Sequence, residues 1–84
     1  MTRDEIYSQV QTHMAEMFDL DVEAITQDAR LRDDLDLDSI DAIDLAVKLQ
    51  ELTGKRVDES ALREIRTVGD VVDLIERMLT GHAG

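Results

Sequence analysis

The chain has 84 residues, 20 acidic against 9 basic, and a net charge of −11 at neutral pH. That length allows one domain, near the lower limit for folding on a single core, and a hydrophobic content of 43% argues against disorder. The charge disfavours nucleic acid and anionic membranes, which need a basic face, and the absence of cysteine excludes disulfides, thiolate metal sites and a cysteine nucleophile.

Tyr7 and Phe18 are the only aromatic residues, so the core is built from Ile, Leu, Val, Met and Ala. Such residues favour helices packed on helices. No apolar run approaches the roughly 20 residues of a membrane span, and the first residues are too polar for a secretory signal. A cytoplasmic, monomeric protein is expected.

Thr2-Arg3-Asp4-Glu5 has the spacing of a capping box, with Thr2 as N-cap and Glu5 three positions on. Ile6, Val10, Met14 and Met17 follow at helical spacing with Phe18 beside them, which predicts a first helix over about 3–18. The stretch 19–38 is weakly periodic. It reads as a long loop anchored by Val22, Ile25, Leu31, Leu35 and Leu37, with one helical turn near Val22 to Ile25. A loop that long in a compact domain points to function. A second helix is predicted over 39–53, stopped by Gly54. A short third helix falls at about 59–64 around Leu62. Thr67-Val68-Gly69-Asp70 is a further capping pattern, and it opens a fourth helix over 68–79 closed by Gly81. The fold expected is all-α: a compact bundle of three main helices and one short one, in a single domain over 1–84.

The second helix has two apolar arcs at about 100° per residue. Ala42, Leu45, Ala46, Leu49 and Leu52 form the core side. Ile40, Ile43 and Val47 lie roughly opposite, with Asp41, Asp44, Lys48 and Glu51 in one of the gaps. The second arc is either buried against the third helix or the loop, or it is a partner surface with an apolar centre and an acidic edge. Both hold if Ile43 lines the interior while Ile40 and Val47 face outward. Ile43, Ala46, Leu62, Val68 and Val71 are the side chains expected to set the size of any internal cavity.

One serine stands where the loop meets this helix, in Asp34-Leu35-Asp36-Leu37-Asp38-Ser39-Ile40-Asp41-Ala42-Ile43-Asp44-Leu45. A serine at a helix start is usually a cap, but Asp38 can cap equally well and leave Ser39 for other work. Hydrolytic use of Ser39 needs a nearby base. The histidines, His13 and His82, lie in the first helix and the tail and read as solvated surface residues; they offer too few ligands for zinc. Asp34-x-Asp36-x-Asp38 imitates a calcium loop but has Ser39 in place of the glycine and Leu45 in place of the final glutamate.

That segment resembles the phosphopantetheine attachment site of acyl carrier proteins, where Asp-Ser-Leu is usual and Ile40 is a close variant. The resemblance covers nearly the whole chain. It implies that Ser39 takes 4′-phosphopantetheine from coenzyme A through a separate Mg²⁺-dependent transferase, and that the thiol of the arm carries acyl groups as thioesters. It also implies that the protein is not an enzyme, and that Asp38, Ile40, Asp41, Ile43, Asp44, Val47 and Glu51 meet partner enzymes. Those partners are the phosphopantetheinyl transferase, ketosynthase, ketoreductase, dehydratase and acyl-transferring enzymes of fatty-acid or polyketide type. The runs 37–45 and 49–57 more particularly resemble carriers of bacterial aryl polyene pigment clusters. Two departures stand out. Asp36 replaces a common glycine, which points to a different loop shape, and Lys48 interrupts the acidic strip. A peptidyl or D-alanyl carrier fits less well, because the Gly-Gly-x-Ser pattern of peptidyl carriers is absent. The reading from another class is an acidic helical adaptor that binds a basic partner and carries no prosthetic group.

Overall fold

The structure, a computed structural model, describes residues 2–80; Gly81 and His82, singled out above, lie outside the described residues. Helix α1 spans Arg3–Phe18, α2 Ser39–Thr53, α3 Glu59–Glu64 and α4 Val68–Thr80. A single 3-10 turn, Val22–Ala24, interrupts the long loop between α1 and α2. Among the described residues there is no strand, only an isolated bridge between Arg30 and Thr67.

The caps explain where the helices begin. The Thr2 hydroxyl accepts from the Glu5 N–H at 3.2 Å while the Glu5 carboxylate accepts from the Thr2 N–H at 3.1 Å. At α4 the same reciprocity joins Thr67 and Asp70, at 3.2 and 3.0 Å. Gly54 ends α2 with φ +70°, a left-handed conformation that costs glycine little. Lys55 reaches across to donate to the Met78 carbonyl near the end of α4, at 2.6 Å.

The core lies between α1, α2 and α4. Ile6, Val10 and Met14 of α1 meet Val68, Val71, Val72 and Ile75 of α4, with Leu45 and Leu49 of α2 closing one side. Arg3 ties the start of α1 to Asp73 and Glu76 of α4. The short α3 contributes no fully buried side chain among those described.

The loop is more ordered than weak periodicity suggests. Ile25, Leu31 and Leu35 are buried as expected, whereas Val22 is exposed because its turn faces outward. Tyr7 Oη donates to the Ile25 carbonyl at 2.7 Å, and Gln11 Nε2 donates to the same carbonyl at 2.9 Å. Backbone bonds then stitch the loop to the α3–α4 junction: Leu31 N–H to Arg66, Val68 N–H to Ala29, and Gly69 N–H to Gln27, at 2.8 to 3.0 Å.

The two arcs of α2 separate as expected, with two corrections. Leu45, Ala46 and Leu49 are buried, but Leu52, assigned above to the core side, is 38% exposed at the far end of the helix. Ile43 does not line the interior. It is 57% exposed, between Ile40 at 69% and Val47 at 49%. The whole second arc is therefore surface. The internal cavity is also bounded differently: Leu31, Ala42, Leu45, Leu49, Leu62 and Ile65 enclose about 20 Å³. Of the five side chains expected there only Leu62 takes part. Val68 and Val71 are fully buried in the core outside this cavity, and Ala46 is buried but does not line it.

Candidate functional site

The start of α2 is built by two aspartates. Asp38 is the N-cap in extended conformation, and one of its carboxylate oxygens accepts from the N–H groups of Ile40 and Asp41 at 2.9 and 3.0 Å. The Asp41 carboxylate accepts in turn from the Asp38 N–H at 3.0 Å. The Asp41 N–H bond is the main cause that holds the Asp38 carboxyl below its ordinary pKa; desolvation opposes it, and the Ile40 N–H, Asp41 side chain and nearby Arg32 add to the lowering.

Ser39 is thereby spared. It occupies the first helical position, it is exposed, and its hydroxyl enters no hydrogen bond among the described residues. Asp36, two residues before the cap, has φ +56°. It adopts the left-handed backbone that glycine takes most easily.

Ser39 opens onto a cleft of about 510 Å³ between the loop, α2 and the α3–α4 junction. Its floor is Leu31, Leu37, Ala42, Leu45, Leu62 and Ile65. Its rim carries Arg30, Arg32, Arg63 and Arg66. The linear sequence gave no sign of this cluster, since the two pairs stand about thirty residues apart. The Arg30–Thr67 bridge and the Leu31–Arg66 bond bring them together.

On the outer side of α2, Ile40, Ile43 and Val47 form the exposed apolar strip, with Asp44 and Glu51 exposed beside them. Asp41 is half-buried and its carboxylate is engaged in the cap. Lys48 pairs with Glu51 at 3.8 Å, which mutes part of the acidic strip. Met17 and Phe18 at the end of α1 join Val47, Asp44 and Glu51 around a groove of about 390 Å³. Sequence reasoning had given those two residues to the first helix alone. His13 is half-buried on α1, distant in sequence from the serine. Among the described residues, no group of three or more His, Asp or Glu could hold a metal ion, and no helix is long and apolar enough to cross a membrane.

Comparison with known proteins accords with this geometry. Residues 8–75 match the sequence model of the phosphopantetheine attachment site family. Acyl carrier protein 2 of Ralstonia nicotianae is 44% identical over 79 residues, covering 94% of this chain and 98% of that protein. The acyl carrier protein of Thermotoga maritima is 40% identical, covering 93% and 96%. In three dimensions the acyl carrier protein of Enterococcus faecalis superposes with a TM-score of 0.73 at 28% identity, covering 95% of this chain and 98% of that one. An all-helical bundle and a match over most of the chain to a phosphopantetheine attachment domain lead to one conclusion: the chain belongs to the acyl carrier protein family, carriers rather than enzymes, whose prosthetic group is 4′-phosphopantetheine.

Proposed function

We propose that Ser39 is the attachment point of 4′-phosphopantetheine and that the chain carries acyl intermediates in a fatty-acid or polyketide type of biosynthesis. The observation that carries this is the division of labour at α2: Asp38 performs the capping, and the Ser39 hydroxyl stands exposed and unengaged beside a cleft. In the transfer, the serine oxygen bonds to the β-phosphorus of coenzyme A, its proton is lost and 3′,5′-ADP departs, under catalysis by the transferase. When bound, the group supplies a thiol that holds acyl chains as thioesters. The 20 Å³ internal cavity has room for about one water molecule, so an acyl chain needs the α2–α3 side to open before it can be buried.

The surface formed by Ile40, Ile43 and Val47, flanked by Asp38, Asp41, Asp44 and Glu51, is proposed as the face that meets the transferase, ketosynthase, ketoreductase, dehydratase and acyl-transferring enzymes. Exposed apolar residues ringed by acids suit a partner with an apolar centre and a basic rim. The aryl polyene assignment is proposed on the runs 37–45 and 49–57.

Intact mass before and after incubation with coenzyme A, Mg²⁺ and a phosphopantetheinyl transferase tests the attachment. The wild-type chain is expected to gain one phosphopantetheine and Ser39→Ala none. A wild-type mass that stays unchanged leaves the acidic adaptor in its place. Ile40→Glu is expected to fold normally and lose partner binding, and retained binding removes the proposed face.

A further inference from the structure

The cleft beside Ser39 carries the opposite balance of charge to the rest of the protein. The chain has 20 acids and 9 bases, yet four of its arginines line this one concavity against three aspartates, Asp33, Asp38 and Asp41. Two of those acids are already committed to the α2 cap, and Asp33 pairs with Arg30 at 3.3 Å. Arg32, Arg63 and Arg66 form no ion pair among the described residues. All three are exposed, and Arg32 and Arg66 act on Asp38 and Asp70 only at distances beyond a direct ion pair.

A phosphate esterified to Ser39 lies within a bond or two of the α2 terminus. Helix termini normally hold phosphate through their free N–H groups. Here the N–H groups of Ile40 and Asp41 are taken by Asp38, whose own negative charge opposes a second anion. The remaining source of positive charge is the arginine rim, and guanidinium groups bind phosphate oxygens in bidentate fashion.

We infer that Arg32, Arg63 and Arg66 form a cradle for the phosphodiester of a group attached at Ser39. The arm then leaves along the α2–α3 cleft over Leu37, Ala42 and Leu62, instead of swinging out freely. The inference rests on Ser39 being the attachment point. It adds a subsite for a phosphate monoanion, built from two segments far apart in sequence.

Phosphorus-31 relaxation of the loaded protein tests it, after intact mass has established loading. At low salt the phosphorus of the wild-type protein is expected to tumble with the chain. In about 1 M salt, where the screening length falls to about 3 Å, it is expected to relax like a free phosphodiester. Arg63→Gln combined with Arg66→Gln should release it at low salt and abolish any rise in melting temperature from apo to loaded protein. An unchanged wild-type mass overturns the Ser39 reading and this one with it. A loaded wild-type protein with a freely tumbling phosphorus at low salt overturns the cradle alone. So does order that survives the double substitution or about 1 M salt, and the salt series decides even for a variant that resists loading.

Discussion

Asp38 and Asp41 hold each other's backbone: each carboxylate accepts the N–H of the other residue, at 3.0 Å in both directions. Ser39 lies between them in sequence and takes no part in the exchange. Asp38→Ala is expected to lower the melting temperature by about 4–8 °C, the usual effect of losing a cap in a domain of this size. Ser39→Ala should move it by less than about 3 °C, as at an ordinary surface position. Thermal melts of both variants check this, and the reverse order of effects would show that the serine is the structural residue.

Asp36 supports the turn before α2 in a left-handed conformation that costs a non-glycine residue about 1 kcal/mol or more. Asp36→Gly should therefore stabilise the apo protein by about 0.5–1 kcal/mol, after the larger loss of backbone freedom by glycine is offset. Removing one negative charge acts in the same direction. Chemical denaturation measures the difference, and a destabilised variant would point to a role for the Asp36 carboxylate in holding the loop.

Tyr7 fastens the loop to α1 through its bond to the Ile25 carbonyl. Tyr7→Phe keeps the ring and removes the bond. A loss of about 0.5–1.5 kcal/mol is expected, with Gln11 Nε2 still donating to that carbonyl and limiting the damage. Hydrogen exchange should speed up first in the loop around residues 22–29, and uniform acceleration across the chain would contradict a local role.

Acid and salt act on the same charges in opposite ways. Glu5, Asp38 and Asp70 all have folded pKa values below the ordinary 4.5 or 3.8. Hydrogen bonding from Thr2 lowers Glu5. For Asp70 burial is the largest single influence and pulls upward, but the N–H groups of Arg66 and Thr67, the Thr67 side chain and the Arg66 charge together outweigh it. A carboxyl whose pKa falls on folding contributes stability that is complete above its unfolded value and disappears as pH drops through its folded value. Stability is thus expected to decline below about pH 4. Replacing Asp38 and Asp70 by Asn should flatten the acid limb. At neutral pH, added salt or divalent cations should raise the melting temperature by screening the −11 charge. A melting point indifferent to both would refute the self-repulsion argument.

Much of the fold was legible because its signals are local. Thr2 with Glu5 and Thr67 with Asp70 mark helix starts through side chains that meet backbone groups three residues away, and Gly54 marks a stop through its own φ angle. The split of α2 into two apolar arcs was equally plain from spacing. The core arc itself was also legible, and Leu45, Ala46 and Leu49 are buried; the exposure of two single residues was not. Ile43 and Leu52 have the composition of core residues, and only the placement of α1 and α4 leaves them at the surface. Val22 is exposed because its 3-10 turn faces outward.

The order of helices, their ends and the exposed serine motif follow from the sequence, because capping, periodicity and attachment chemistry act within a few residues. The arginine-rimmed cleft, the small cavity under Leu62 and the outward turn of Ile43 were decided by tertiary structure. The cleft and the cavity depend on how the loop at 27–31 is hydrogen-bonded to residues 66–69, and the exposure of Ile43 on where α1 and α4 pack, encounters between segments that no local pattern encodes.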